Sequence, residues 1–330
     1  MEKLDNIPPW FDSKENFFYG NTESQSYVIE GPVGIGKEIF TIDIAKSFLC
    51  SKTKKLSSCN QCVSCNLFNE DSHPDFYIVS PEKDKKLISI NQIRELQDPL
   101  YESSFLGHNK VILILPAEKM TREASDALLK SLEEPPNNTF FLLLTNKYHS
   151  LTLTVKSRCS QVSLQKPNKK EVKTWLQNNI KNNSKIDLLI SLSKGKPLVA
   201  LDMAKKEINK LRKTFIKEIS VLIKNGKELL DLSESWNKNP DEILLKLEWM
   251  SDLIMDCLRH KYFKKSAETY EDTNSISTYL AKNIKSDELF YLLQETNYCW
   301  SLLDSNSSLR TDYLLRALLV DWIMKIDLAR

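Results

Sequence analysis

At 330 residues the chain is long enough for two or three domains with ordinary cores, and one compact unit is not expected. Its 46 basic and 44 acidic residues leave a net charge of +2, which excludes a global electrostatic pull toward nucleic acid. The opening stretch mixes acids with bases and has no apolar core, and the longest apolar runs, near residues 111–115 and 140–144, are strand-length. The sequence therefore reads as soluble, untargeted and cytoplasmic, with no membrane contact.

The first element is an apolar strand signal at Tyr27, Val28 and Ile29, followed by GPVGIGKE over residues 31–38. An amphipathic helix through Phe40, Ile42, Ile44, Ala45 and Phe48 comes next. Strand, glycine turn and helix are the setting of a phosphate-binding loop. There, backbone N–H groups close around phosphate oxygens, a lysine reaches the outer phosphates, and a Ser or Thr hydroxyl holds Mg²⁺. Gly31, Gly34, Gly36 and Lys37 fill that pattern, but the hydroxyl position is Glu38. A carboxylate there repels the triphosphate and cannot replace a small neutral metal ligand. The loop is built like a nucleotide site and weakened as one, so ATP binding is expected to be weak or absent.

An insertion over residues 50–65 follows, with Cys50, Cys59, Cys62 and Cys65 spaced C-x8-C-x2-C-x2-C. Four thiolates complete a tetrahedral zinc shell and leave no position for water, so the expected role is structural. Disulfides would be out of place in a reducing compartment. His73 is then surplus as a ligand, while the scattered Cys159, Cys257 and Cys299 read as small buried apolar residues. Lysine runs at Lys52, Lys54 and Lys55 and at Lys83, Lys85 and Lys86 read as solvated surface.

HPDFYIV over residues 73–79 ends in a second strand; a helix through Ile90, Ile93, Leu96 and Leu100 leads to the strand at 111–115. A helix bearing Ala124, Ala127, Leu128, Leu129 and Leu132, stopped by Pro135 and Pro136, leads to the strand at 140–144. This β and α alternation implies a parallel sheet with helices on both faces. After about Gln165 the texture changes. From Leu198 onward only Pro240 and Gly226 interrupt apolar residues at helical spacing: Leu211, Phe215, Ile219, Leu222; Leu247, Met250, Ile254, Leu258; Leu289, Leu293, Trp300; Leu314, Leu318, Trp322. The C-terminal part is thus expected to be all-helical, with polar linkers or loops at 181–185 and 268–275.

KVILILPAEKMTREASDALLKSLEEPP over residues 110–136, FFLLLTN, and then Ser157, Arg158 and Cys159 resemble the clamp-loader branch of the AAA+ ATPases. The four-cysteine insertion, the HPD at 73–75, ISINQIREL at 88–96 and DSNSSLRTDYLLRALL at 304–319 resemble the same branch. The near-miss phosphate loop looks most like that of the delta-prime class of subunits in bacterial DNA polymerase III clamp loaders. The resemblance implies an AAA+ module over 1–165 with the zinc insertion at 50–65, a helical lid over 166–207 and an all-helical collar for oligomerisation over 208–330.

Three further departures bear on activity. Active members of the family end the strand at 111–115 in Asp-Glu, the carboxylates that order Mg²⁺ and the attacking water. Here those positions are Pro116 and Ala117, and Glu118 stands one place too far along. GKPLVAL at 195–201 resembles the start of the sensor-2 helix but carries Leu198 where the ATPases have arginine. Arg158 is retained, and by resemblance it is an arginine finger offered to a neighbour's nucleotide. The resemblance thus implies a non-hydrolysing scaffold in a hetero-oligomer with gamma or tau ATPase subunits and a delta subunit, meeting the sliding clamp and primed DNA through the complex. Lys37 keeps an active gamma- or tau-like ATPase as the alternative. A third reading, a DNA-binding module built on the knuckle and lysines, lacks base-reading elements.

Overall fold

A computed structural model describes residues 7–11, 25–52, 56–180, 185–225, 229–263, 270–304 and 310–327. Lys54, Lys55, Gly226, residues 181–184 and 268–269 of the polar stretches, and residues 305–309 of the last motif lie outside the described residues. The chain divides into two compact units, residues 1–202 and 203–330.

The first unit is built on a five-stranded parallel sheet of β1 (Ser26–Glu30), β2 (Phe76–Val79), β3 (Lys110–Ile114), β4 (Thr139–Thr145) and β5 (Ser160–Ser163). The strand order is β2-β3-β4-β1-β5, every neighbouring pair being parallel. Successive side chains on a strand point to opposite faces, so a sheet covered on both sides needs apolar residues at every position. Tyr27, Ile29, Val111, Leu113, Leu142 and Leu144 enter one core with Phe40, Ile44 and Leu49 of α1 (Lys37–Leu49). Val28, Ile112, Ile114, Phe141 and Leu143 enter the other. That second core is closed by α3 (Ile90–Arg94), α4 (Gln97–Tyr101) and α5 (Arg122–Glu133); α2 (Val63–Asn69) belongs to the cysteine insertion.

The single helix expected through Ile90 to Leu100 is two short ones, α3 and α4. Pro99 is the cause: it has no N–H for the carbonyl of Glu95, and its ring crowds that carbonyl. The α5 helix runs as expected, with the Thr121 hydroxyl accepting from the Ala124 N–H at its start and its end falling just before Pro135. A one-turn α6 (Leu153–Lys156) precedes β5. Beyond it lie α7 (Lys169–Asn179), α8 (Ile186–Leu192) and α9 (Pro197–Lys205).

The second unit contains α10 (Ile208–Asn225), α11 (Leu229–Asn237), α12 (Pro240–Tyr262), α13 (Asn274–Asn283), α14 (Ser286–Asp304) and α15 (Thr311–Asp327). Phe215, Ile219, Leu222, Leu247, Met250, Ile254 and Leu258 are buried as their spacing implies. Two stripes differ. On α10 it is Arg212, not Leu211, that is buried, ringed by Phe215, Trp249 and Tyr270 and paired with Asp272 at 3.0 Å. On α14 the buried face is Leu289, Leu292, Thr296 and Cys299 rather than Leu293 and Trp300. Thr296 is satisfied there, its hydroxyl donating to the Leu292 carbonyl at 2.7 Å and accepting from the Trp322 indole at 3.3 Å. Cys257 and Cys299 are buried, and Cys159 packs against the second sheet core. Among the described residues no helix is long and apolar enough to cross a membrane.

Candidate functional site

The glycine loop leaves the C-terminal end of β1 and enters α1 at Lys37. Gly34 and Gly36 adopt φ of +82° and +94°, the left-handed region in which a side chain is strained, and this is how the turn closes in so few residues. Its carbonyls already have partners. The Trp10 indole donates to Ile35 at 3.0 Å, the Leu198 N–H donates to Gly34 at 3.0 Å, and the Lys37 ammonium donates to Pro32 at 3.1 Å. Pro8, Phe11 and Leu198 crowd Gly36, leaving 3.2 to 3.7 Å to the position of an added Cβ. Thus Leu198 lies beside the loop, with an aliphatic side chain and no charge to offer it.

Lys37 is buried, which pushes its ammonium below the ordinary lysine range; the carboxylates of Glu38 and Glu118 pull the other way. Glu118 stands one place past the positions of the family's two carboxylates, and its charge still reaches Lys37. A turn of 3₁₀ helix over Ala117–Lys119 follows β3 directly. It returns the Glu118 carboxylate to the sheet end, where the Asn146 N–H and side-chain amide both donate to Oε1 at 3.2 Å. Glu118 Oε2 is buried without a hydrogen-bond partner. Asn146, just past β4, escaped the sequence reading; the signal was an amide directly after an apolar strand. Pro116 and Ala117 supply no carboxylate.

Arg158 lies between α6 and β5. Its Nε and Nη2 donate to Glu133 Oε2 at 3.1 and 3.0 Å, and Nη1 donates to the Thr154 carbonyl at 3.1 Å. The side chain remains 28% exposed. Register fixes where it stands relative to the glycine loop. Tyr27 pairs with Ser160, Glu30 with Ser163, and Leu164 donates to the Glu30 carbonyl, so Gly31 lies level with residue 164. Arg158 lies in the turn before β5, and the four steps from Ser160 to Leu164 alone span about 13 Å at a parallel-strand rise, which puts it at the opposite end of β5 from the loop. An arginine side chain does not span that distance.

The sulfurs of Cys50, Cys59, Cys62 and Cys65 all lie within 4.8 Å of one another. Cys50 to Cys62 and Cys59 to Cys65 are each 3.9 Å, close to the roughly 3.8 Å edge of a tetrahedron with zinc–sulfur bonds of about 2.3 Å. Backbone N–H groups of Cys59, Cys62 and Cys65 each lie 3.4 Å from a cluster sulfur, a donor set suited to thiolates. Burial opposes ionisation of Cys62, but hydrogen bonds from Ser51 and the Cys65 N–H hold its thiol down at about 5. Burial and the neighbouring Cys62 push Cys65 up to about 12. The cluster can hold a metal ion, and its all-sulfur donors fit zinc. His73 is not among these ligands. It is buried behind them, where desolvation pushes its imidazole below the ordinary value and favours the neutral ring, against the pull of Asp75.

Against known proteins, a family model described as DNA polymerase III, delta subunit, matches residues 13–168, and one described as DNA polymerase III, delta subunit, C terminal, matches residues 206–324. The chain is 30% identical over 324 residues to DNA polymerase III subunit delta' of Pseudomonas aeruginosa, covering 96% of this chain and 97% of that one. It is 26% identical over 317 residues to the subunit delta' of Escherichia coli, covering 95% and 93%. Among solved structures, a gamma subunit-related protein from Thermotoga maritima is similar with a TM-score of 0.48 at 20% identity, over 92% of this chain and 95% of that one.

Proposed function

The chain belongs to the DNA polymerase III delta-prime subunit family, and from that premise we propose that it is a non-hydrolysing subunit of a clamp loader. In this reading residues 1–165 are a degenerate AAA+ module, 166–207 a lid and 208–330 a collar that joins it to gamma or tau ATPase subunits and a delta subunit. It acts as a stator while the assembly loads the sliding clamp onto primed DNA, and it lends Arg158 to a neighbour's ATP. Its own loop, Gly31, Gly34, Gly36 and Lys37, binds nucleotide weakly or not at all.

The observation that carries the proposal is the strand register. A guanidinium at the opposite end of β5 from its own glycine loop cannot serve that loop, yet it stands partly exposed where a second subunit can meet it. A planar fork suits the spread charge of a phosphoryl transition state. On α15, Tyr313, Ala317, Val320 and Met324 form an exposed apolar stripe at helical spacing, which supports helix-on-helix assembly through the collar. Zinc at Cys50, Cys59, Cys62 and Cys65 would shape the insertion and supply no chemistry to the reaction. The test is reconstitution with ATPase and delta subunits, clamp and primed DNA: Arg158→Ala should assemble normally and hydrolyse ATP more slowly, and a wild-type rate would remove the trans-acting role.

One observation favours the second reading, an active gamma- or tau-like ATPase. Glu118, fixed by Asn146 and acting on Lys37, is a carboxylate near the loop despite Pro116 and Ala117. ATP turnover by the isolated chain, abolished by Lys37→Ala, would select it.

A further inference from the structure

The segments that carry the four thiols are also joined by bonds that involve no sulfur. Ser64, buried on α2 beside Cys65, donates its hydroxyl proton to the carbonyl of Leu49, the residue before Cys50, at 2.7 Å. A hydroxyl that has given its one proton can only accept from its remaining neighbour. His73 Nε2, also 2.7 Å away, therefore carries the hydrogen and donates it to Ser64. The other ring nitrogen, Nδ1, is then free to accept, and it receives the Asp75 N–H at 3.1 Å. Every hydrogen in the relay has one consistent direction.

Its far end is anchored in the sheet. Asp75 is 1% exposed; its carboxylate accepts the Phe105 and Leu106 N–H groups at 2.8 and 3.1 Å, and its carbonyl accepts the Val111 N–H of β3 at 3.0 Å. The relay runs from β3 through Asp75, His73 and Ser64 to the end of α1, and so reaches the neighbours of Cys50 and Cys65 without using the metal.

We infer that His73 is a positioning residue of the four-thiol site: through Ser64 it holds Cys50 and Cys65 at ligand separation, so that a divalent thiophilic cation meets a shell already formed. Partners that orient ligands in this way typically contribute about 10- to 100-fold in metal affinity. The inference rests on the cluster being a zinc site, and the experiment separates the two.

Apoprotein of the full chain is titrated with Zn²⁺ against a chromogenic chelator, and with Co²⁺ to read the ligand-field bands of a tetrahedral thiolate site. His73→Ala and Ser64→Ala should each weaken Zn²⁺ binding by about 10- to 100-fold and broaden or shift the Co²⁺ bands. The double variant should lose no more than Ser64→Ala, because one relay is cut. His73→Gln should recover most of the affinity, since its side-chain amide can donate where Nε2 did. Should His73→Ala fail to fold, Ser64→Ala carries the comparison. If the wild type binds one Zn²⁺ and both alanine variants bind it equally well with unchanged Co²⁺ spectra, the relay is ordinary packing and the inference is overturned. If the wild type binds no stoichiometric Zn²⁺, the metal reading itself fails and the inference falls with it.

Discussion

Glu133 Oε2 accepts from both Nε and Nη2 of Arg158, so the chain itself sets the plane of the guanidinium. With the third nitrogen, Nη1, on the Thr154 carbonyl, the arginine stands at the rim of the sheet in one defined orientation. Direct arginine fingers are worth about 10³ to 10⁵ in rate at the site they serve. Arg158→Ala should therefore lower DNA- and clamp-stimulated ATP hydrolysis of the reconstituted complex by the share of that one site, with chromatographic assembly unchanged. Arg158→Lys should be nearly as poor, for it lacks the fork. Glu133→Gln should cost at most about 1 kcal/mol of stability, the pair being partly exposed, and should give a smaller ATPase loss than Arg158→Ala.

The isolated chain should show no ATP turnover above background, and Glu38→Thr should not create it. A threonine restores the missing hydroxyl, but Glu118 Oε1 is engaged by Asn146 and Leu198 offers no charge to a γ-phosphate. Steady-state phosphate release by the wild type, Glu38→Thr and Lys37→Ala proteins decides this. Turnover in either of the first two would move the chain to the active class.

Metal removal should spare the sheet, whose cores use none of the four cysteines, and should leave the relay from Asp75 to Ser64 in place. In chelator, Cys62, whose thiol is held at about 5, should alkylate first at pH 6.5, being ionised above that value. Burial pushes Cys159 and Cys257 up to about 12 and Cys299 to about 11, so these should stay unmodified. Peptide mapping after a brief iodoacetamide pulse, with and without zinc, reads the order.

In the helical unit, Tyr270 donates its hydroxyl to Asp252 at 3.1 Å, and burial followed by the Asp252 charge raises its pKa above the ordinary 10. A raised folded pKa means that the unfolded chain ionises first. The stability from this group is therefore present below pH 10 and lost as pH rises from there through the folded pKa. Tyr270→Phe should cost about 1 kcal/mol at neutral pH and flatten the alkaline limb of a denaturation series. An equally steep limb in the variant would assign the pH dependence to other groups.

Features encoded by near neighbours were legible before any fold was known. Three thiols recurring every third residue form a knuckle by chain geometry alone, and apolar runs bounded by turn residues gave four of the five strands, the short and half-polar β5 escaping them. Pro99 was equally visible and was outweighed by the apolar spacing around it, although one missing N–H suffices to split a helix.

What only the tertiary structure decided are pairings between distant segments. Counting residues past a strand does not show what Glu118 meets, whereas one 3₁₀ turn brings its carboxylate to Asn146, 28 residues on. The buried face of α14 differed from the strongest apolar spacing because Thr296 becomes a core residue only once Trp322 supplies its donor. His73 looked idle until Ser64 gave its ring a direction. The residue types at Arg158 and Gly31 were plain in the sequence, but that they stand at opposite ends of the strands follows from the pairing of β1 with β5. Spacing along the chain fixes what a segment can form by itself. Which charges, donors and acceptors meet is fixed by burial, because an unpaired polar group away from water is too costly to keep.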